Sequence, residues 1–368
     1  MSALPSALLP SLPLLPLHGH SALKARLAER ITASALPQAI LLHGPAGVGK
    51  QRLALWMAQT LLCSGSPRPC GACRECRYVL DVTHPDLTWV VPRPRPKDSE
   101  ADPDDIAQDL AETAARRATE GGLYSPPAGT EGIYVATVRY LVGRAVRTPA
   151  LARRKVFVVG EADRMAQQEG AEVAANAFLK LLEEPPADTN IIITTSAVGS
   201  LLPTIRSRVI AIRVPPLDDA AMREFLAQPQ VQEALDKLDL PKPEEQRLRL
   251  AHGAPGALLA SGVRQSAVDD ANRFLAAATS GNRSDLLKVA FMQGHSGARG
   301  GFSDTLDALT LALYDRMRQG VEGRDESGAG AASRAIDLVE EAKRLAEGNV
   351  SPQLITARLL TDLSRTLA

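Results

Sequence analysis

The sequence has few aromatic residues, few cysteines, no surplus of charge and no long apolar run. Aromatic residues make up 4% of the 368 residues against 45% hydrophobic, so the core must be built from Leu, Val, Ile and Ala. The 42 basic residues equal the 42 acidic ones, which argues against strong, autonomous binding to nucleic acid. No apolar stretch reaches the ~20 residues of a membrane-spanning helix, so no membrane role is expected.

The first 16 residues are apolar but interrupted by prolines, at Pro5, Pro10, Pro13 and Pro16. They have no basic segment of the kind that begins a secretory signal. We therefore predict a disordered lead-in over 1–16 and a cytoplasmic protein. In a reducing compartment, the four cysteines are better suited to binding metal than to forming disulfides.

Short apolar runs alternate with helical patterns over the first part of the chain. Buried strands are predicted at 39–42, 88–91, 155–159, 191–195 and 210–214. Alternation of this kind is typical of a doubly wound α/β domain with a parallel sheet, which we expect to span 17–215. Within it, 93–132 is rich in Pro, Gly, Ala and charge. We predict a largely mobile insertion there, with one helix near 106–117.

Strand patterns disappear after Pro216. The stretch 216–263 predicts a small helical unit, and 264–368 predicts a helical bundle. The clearest apolar stripe of the bundle is Leu306, Leu309, Leu313 and Met317. The predicted fold class is thus an α/β domain followed by two all-helical regions.

A glycine-rich loop follows the first strand and precedes a helix. Gly44, Gly47, Gly49 and Lys50 nearly satisfy the phosphate-binding loop pattern. Glycines allow backbone N–H groups to curl around a phosphate, and the helix N-terminus and the lysine add positive charge. A plain glycine-rich turn is the alternative, but the strand and helix on either side favour a phosphate-binding ancestry.

The residues that should hold magnesium are missing from this loop. Gln51 stands where Ser or Thr would ligate the ion, and Gly160 stands where an Asp would end a buried strand. Glu161 keeps the place of a water-activating carboxylate, with Asp163 beside it. Without a metal to neutralise phosphate charge, we expect no hydrolysis, and ATP binding to this loop is doubtful.

All four cysteines lie in one cluster, Cys63, Cys70, Cys73 and Cys76. Two overlapping Cys-x-x-Cys pairs, with Gly71 easing the first turn, suit tetrahedral coordination of a structural zinc ion. An iron–sulfur cluster and free or redox-active thiols are the alternatives.

The chain resembles the clamp-loader subunits of bacterial DNA polymerase III, which are AAA+ proteins. The resemblance extends from about residue 16 to 216 and is thinner beyond. Besides the glycine loop and the cysteine cluster, it is carried by the stretches 84–87 (HPDL), 161–165 (EADRM), 175–186 (ANAFLKLLEEPP) and 202–208 (LPTIRSR).

The resemblance implies an AAA+ domain with a zinc module at 63–76, a helical lid over 216–263 and a collar over 264–368 that joins a ring. It implies that Arg208 enters the ATP site of a neighbouring subunit as an arginine finger, with Ser207 placing the loop. The implied partners are the tau/gamma ATPase subunits and the delta subunit, with the sliding clamp and primer–template DNA contacted through the complex.

Departures from the family pattern indicate a member without its own ATPase. Gln51 and Gly160 lack the metal ligands of the working ATPases, and an arginine expected near Gly256 is absent. We therefore predict a non-catalytic subunit that orders the ring and completes a partner's ATP site. The alternative is an active tau/gamma-type ATPase with unusual metal ligands.

A third possibility is an autonomous DNA-binding module. It would use the arginines at Arg144, Arg147, Arg153 and Arg154. A solvated, charged surface explains the same residues.

Overall fold

A computed structural model describes residues 14–93, 102–119, 121–123, 131–165, 171–238, 240–259, 261–292, 299–347 and 351–367. The chain divides into two compact units, one that reaches to Leu259 and one that follows it. Among the described residues, no helix is both long and apolar enough to cross a membrane.

The first unit is built on a five-stranded parallel sheet. Its strands are β1 (Ala39–His43), β2 (Leu87–Val90), β3 (Lys155–Val159), β4 (Thr189–Thr195) and β5 (Ile210–Arg213). They lie in the order β2-β3-β4-β1-β5, with Leu41 of β1 opposite Ile193 of β4. Of the three inner strands, β3 and β4 are buried along their whole length, as expected when helices cover both faces of a parallel sheet. The parallel α/β core predicted from the sequence is confirmed.

The helices of the first unit cover the two faces of this sheet or, towards the end of the unit, form a small core of their own. They are α1 (Ser21–Thr32), α2 (Lys50–Leu62), α3 (Arg74–Leu80), α4 (Pro103–Thr119), α5 (Val135–Ala145), α6 (Ala171–Glu183), α7 (Pro203–Arg206), α8 (Asp219–Leu226), α9 (Pro229–Asp236), α10 (Glu244–Ala251) and α11 (Pro255–Leu259). Alternate residues of each strand join different cores: Val156 and Val158 pack with α2, whereas Phe157 and Val159 pack with α5 and α6. This alternation arises because successive side chains of a strand point to opposite faces of the sheet.

The stretch His84 to Leu87 has a structural explanation. The Asp86 side chain is 1% exposed, and its carboxylate accepts hydrogen bonds from the N–H groups of Ala150, Leu151 and Ala152 at 2.5–2.8 Å. His84 Nδ1 accepts from the Asp86 N–H at 3.0 Å. A buried carboxylate must be satisfied in this way, so the motif ties the start of β2 to the loop before β3.

Two segments differ from the prediction of mobility. Leu14 and Leu15 are buried, and their N–H groups donate to Leu80 O and Gly121 O, each at 3.0 Å; residues 1–13 of the predicted lead-in lie outside the described part. In the insertion 93–132, α4 is a packed helix whose buried side chains include Ile106 and Leu110. The apolar residues of α4 recur at helical spacing, and burial of that stripe orders the helix. Residues 94–101, 120 and 124–130 of the insertion are not described.

The second unit is a helical bundle. Its helices are α12 (Ser261–Thr279), α13 (Arg283–Met292), α14 (Arg299–Glu322), α15 (Glu326–Glu347) and α16 (Pro352–Leu367). The predicted stripe on α14 forms its core, since Leu306, Leu309 and Leu313 are fully buried and Met317 packs beside them. The helical character predicted for this part of the chain is confirmed.

The predicted lid, 216–263, falls mainly in the first unit. Helices α8 to α11 have a core of their own that includes Leu217, Met222 and Leu248. The compact unit ends at Leu259 rather than at the predicted boundary of 263. The functional division into AAA+ domain, lid and collar stays a prediction.

Candidate functional site

The glycine loop lies at the carboxyl end of β1 and leads into α2, as the sequence predicts. Gly47 and Gly49 have φ values of 80° and 94°, a region that disfavours other residues. At Gly47 a side chain is also excluded by space, because a Cβ would lie 2.9 Å from the backbone of Gly256. The Gly256 N–H donates to Gly47 O at 2.9 Å. Helix α11 therefore closes directly onto the loop.

Lys50 is held by the protein itself. It is 6% exposed, and its ammonium group donates to Gly44 O at 2.9 Å, Pro45 O at 2.7 Å and Ser196 Oγ at 2.9 Å. An ammonium group has three donors, and all three are used. Burial lowers the pKa of Lys50 to about 8, against the opposing attraction of the carboxylates that follow β3.

Gln51 fills the space of the missing metal ligands. Its Oε1 accepts from Trp89 Nε1 at 3.0 Å, and its Nε2 donates to Glu161 Oε1 at 3.4 Å. A Cβ built at Gly160 would lie 2.6 Å from both Cδ and Oε1 of Gln51. The two departures seen in the sequence are thus one arrangement, because a carboxylate at position 160 and this glutamine need the same volume.

Glu161 and Asp163 follow β3 and face the same end of the sheet. The Glu161 N–H donates to Thr194 Oγ1 at 3.2 Å, and Asp163 Oδ1 accepts from Thr195 Oγ1 at 2.5 Å. Burial, and next the nearby Asp163 carboxylate, raise the pKa of Glu161 to about 7. A substantial fraction of Glu161 is therefore protonated at neutral pH.

A cavity of about 90 Å³ lies beside the glycine loop. Part of its wall comes from the insertion, since Arg117 of α4 lines it, with the guanidinium carbon 6.0 Å from the centre of the Trp89 ring. Sequence reasoning missed both residues, because no local pattern connects either to the loop. Ser207 and Arg208 do not line this cavity.

The four cysteines come together at the other end of α2. Their sulfur atoms all lie within 4.8 Å of one another, and those of Cys63 and Cys73 are 3.8 Å apart. A tetrahedral zinc site with Zn–S bonds of about 2.3 Å requires sulfur atoms about 3.8 Å apart. Backbone N–H groups donate to sulfur: Cys70 and Gly65 to Cys63, Cys73 to Cys70, and Cys76 to Cys73, at 3.3–3.4 Å. Such donors stabilise thiolates, so the cluster fits a metal ion.

The surroundings of the cysteines favour the thiolate at two of the four positions. The Cys73 N–H lowers the pKa of Cys70, whereas burial raises the pKa of Cys63 and Cys76. Burial opposes ionisation of Cys73, but N–H groups of Cys76 and Ser64 and the Ser64 hydroxyl lower the pKa of Cys73 to about 6. With four sulfur ligands there is no open position for a substrate, so the site suits a structural role. Cys63 follows α2 directly, which ties the cluster to the helix of the glycine loop.

Ser207 and Arg208 lie on a separate, exposed loop between α7 and β5. Ser207 Oγ donates to Thr204 O at 3.0 Å, and Arg208 Nη1 donates to the same carbonyl at 2.8 Å. The Arg208 side chain is 31% exposed and forms an ion pair with Glu183 at the end of α6. Its placement at the surface is what a residue acting on another chain requires.

Two of the four candidate DNA-binding arginines have structural contacts. Arg144 Nη2 donates to Pro85 O at 2.6 Å, and Arg154 Nη1 donates to Asn190 Oδ1 at 2.8 Å. Arg147 and Arg153 are exposed. For Arg144 and Arg154, these contacts favour a structural role over DNA binding.

The chain is similar to known replication proteins. The model of the family described as "DNA polymerase III, delta subunit" matches residues 19–218. DNA polymerase III subunit delta′ of Pseudomonas aeruginosa is 32% identical over 59% of this chain and 53% of that protein. The delta′ subunit of Bacillus subtilis is 28% identical over 58% and 52%. DNA polymerase III subunit gamma/tau of Mycobacterium tuberculosis is 31% identical over 57% and 30%. The matches thus span about half the length of the delta′ relatives, and less of the gamma/tau protein.

Proposed function

Because the chain belongs to the DNA polymerase III delta subunit family, with delta′ of the clamp loader among its relatives, we propose that it is a non-catalytic subunit of a clamp loader. It orders a ring of AAA+ subunits and donates Arg208 to the ATP site of a neighbour. One observation carries this proposal. Gln51 occupies the volume that a metal-binding carboxylate at position 160 would need.

Hydrolysis in the chain's own loop would lack its usual electrostatic support. Magnesium needs near-octahedral oxygen ligands at ~2.0–2.1 Å, and the positions that supply them hold Gln51 and Gly160. Lys50 is engaged by three protein oxygens. Glu161 remains as a potential base, but the phosphate charge that it would act beside has no metal to neutralise it.

Arg208 has the chemistry of a finger. A guanidinium presents a planar fork of N–H donors that matches phosphate oxygens, and it stays charged at any physiological pH. When supplied to a phosphoryl-transfer site by another chain, such a group raises the rate by roughly 10³–10⁵. Its exposed position, outside the cavity of its own loop, supports action on a neighbour.

The proposed partners follow from the relatives. We propose that gamma/tau-type ATPase subunits and a delta subunit are the neighbours, and that the sliding clamp and primer–template DNA are met through the assembled complex. The collar role proposed for 264–368 is to hold this ring together. A reducing compartment, the cytoplasm, suits four clustered thiols that bind metal.

We propose zinc as the metal of the cysteine cluster. Cys63, Cys70, Cys73 and Cys76 would hold it, and the ion would supply structure rather than chemistry. The sulfur spacing and the N–H···S hydrogen bonds support this choice. Metal analysis of protein purified without added metal tests it, and iron with visible absorbance would contradict it.

The central experiment compares two neighbouring arginines. We expect Arg208→Ala to leave ring assembly intact and to lower hydrolysis at the completed site by roughly 10³-fold, so that ATPase with clamp and primed DNA loses that site's contribution. Arg206→Ala is the matched control, since Arg206 is exposed at the end of α7, two residues before Arg208. If the Arg208→Ala ring hydrolyses ATP at the wild-type rate, the finger assignment is wrong.

The second candidate function is an active gamma/tau-type ATPase. It is favoured by one finding, that a gamma/tau subunit is as similar in sequence as the delta′ subunits. This candidate requires magnesium-dependent turnover by the isolated chain that Lys50→Ala abolishes. Our proposal expects no turnover by the isolated chain at all.

A further inference from the structure

The guanidinium of Arg208 is held from two sides. Its Nε donates to Glu183 Oε1 at 2.5 Å, and its Nη2 pairs with the same carboxylate oxygen. Its Nη1 donates to Thr204 O at 2.8 Å and contacts Ser207 Oγ at 3.1 Å. All three nitrogens are therefore engaged, by acceptors from α6 and from the α7 loop.

Glu183 occupies a fixed point of the fold. It is the last residue of α6, and two prolines, Pro185 and Pro186, follow within three residues. Proline cannot continue a helix and restricts the residue before it, so the end of α6 is well defined. Helix α6 also packs against α7, which immediately precedes Ser207.

The Glu183–Arg208 ion pair contributes little to the stability of the fold. The Glu183 and Arg208 side chains are 45% and 31% exposed, and exposed ion pairs stabilise a fold only weakly because water screens them. The pair restrains orientation instead. An arginine side chain has many rotamers, and a free arginine loses conformational entropy when binding fixes it in one of them.

We propose that Glu183 is the positioning residue of the finger: it holds the Arg208 guanidinium in one orientation, ready for a neighbour's phosphate. This inference rests on the proposed role of Arg208 in a neighbour's site. Glu183 acts through Arg208 and touches no substrate. A guanidinium has five N–H donors, and the contacts with Glu183, Thr204 and Ser207 use at most four of them, which leaves an Nη2 hydrogen for the phosphate.

The chain offers a matched control in the next residue. Glu184 is also exposed and also precedes the prolines. Among the residues that the structure describes, the Glu184 side chain makes no hydrogen bond or ion pair. Glu183→Ala and Glu184→Ala thus remove the same group one residue apart, and only the first releases Arg208.

The test measures ATPase of the ring reconstituted with its gamma/tau-type subunits, clamp and primed DNA. We expect Glu183→Ala to lower kcat at the completed site by about 2- to 10-fold, as expected from freeing one long side chain. KM for ATP should not change, because the neighbour's own loop binds the nucleotide. Glu183→Gln, which keeps the Oε1 acceptor, should recover part of the rate. Glu184→Ala should match the wild type.

Arg208→Ala measured in parallel separates the two ideas. If Arg208→Ala has no effect, the proposed function fails. If Arg208→Ala lowers kcat but Glu183→Ala leaves it unchanged or raises it, only the positioning role is overturned. Glu183→Ala should add nothing in the Arg208→Ala background, and a further loss there would also overturn it. Melting temperature and ring assembly by gel filtration confirm that each variant chain is folded.

Discussion

The glycine loop and the Ser207–Arg208 loop lie in the same compact unit, but the first buries its cation and the second leaves its cation partly exposed. At the glycine loop, the Lys50 ammonium is buried and satisfied by three oxygens of the chain itself. On the other loop, Arg208 stays partly exposed, and a surface carboxylate holds it. The first arrangement uses the cation inside the fold, and the second leaves a cation partly exposed to solvent.

The contrast is what we expect if the chain, as proposed, lacks its own ATPase and acts in a partner's site. At the glycine loop, Gln51 fills the volume that a side chain at position 160 would need. On the other loop, Glu183, Thr204 and Ser207 hold Arg208 at the surface. Four predictions test this contrast.

The largest expected effect concerns the metal cluster at the end of α2. Cys73→Ser should lower the free energy of unfolding by more than about 4 kcal/mol, because structural metal binding is coupled to folding. Hydrogen exchange should rise in α2 and α3 and stay unchanged in α7. Arg77→Ser, at an exposed position of α3, is the control. If the amides of α2 were equally protected from hydrogen exchange in both variants, the cysteine cluster would not support the helix of the glycine loop.

The next effect is a dependence of the free energy of unfolding on pH, which we expect at the glycine loop and not at the Ser207–Arg208 loop. The pKa of Glu161 in the folded chain is raised to about 7, so the folded state favours the protonated carboxyl. The stability that this provides is present below about pH 4.5 and is lost as the pH rises through 7. Glu161→Gln should therefore exceed the wild type in stability at pH 8 by about 1–3 kcal/mol, and match it near pH 4.5.

Urea unfolding at the two pH values measures this difference. The control is Glu184→Gln, an exposed carboxylate on the finger side of the unit. It should give the wild-type pH dependence. A Glu161→Gln variant that follows the wild-type curve at both pH values would show that Glu161 is not desolvated.

A smaller effect tests whether the Gln51 side chain fills the volume that a side chain at position 160 would need. Gly160→Ala should cost about 1–2 kcal/mol, because the new Cβ displaces the Gln51 amide from Trp89 and Glu161. In a Gln51→Ser background the same change should cost less than about 0.5 kcal/mol, a coupling that a double-mutant cycle measures. Gly199→Ala, where a Cβ meets open space, is the control. Additive costs would mean that the two positions are independent.

The smallest expected effect is on activity. Lys50→Met should leave ATPase of the reconstituted ring at the wild-type rate, because the proposed function gives this loop no part in hydrolysis. It is the counterpart of Arg208→Ala, which should lower that rate. A loss of ring ATPase in the folded Lys50→Met variant would reverse the proposed contrast between the two loops.

Much of the fold was predictable because its signals are local. The buried strand over 155–159 has an uninterrupted apolar run at 156–159, and the stripe from Leu306 to Met317 has helical spacing. The cysteine cluster was predictable from spacing alone, since its ligands lie within 14 residues. The missing metal ligands were visible as residue types at Gln51 and Gly160.

Contacts between distant residues were not predictable in this way. The insertion was predicted to be largely mobile, yet α4 packs on the unit and brings Arg117 to the wall of the loop cavity. A helix was predicted near 106–117 and is present as α4, but no local pattern indicated that it packs on the unit. The burial of Leu14 and Leu15 was missed because prolines nearby indicated a disordered start.

Local sequence was enough to predict the parallel α/β class, the glycine loop, the four-cysteine cluster and the absence of both metal ligands, because each depends on residues adjacent or periodic along the chain. The packing of Gln51 against Gly160 and the contact of Glu183 with Arg208 are visible in the folded chain alone. Those pairs are 109 and 25 residues apart. Their contact depends on how strands and helices are brought together by the sheet and its two cores, which no local pattern records.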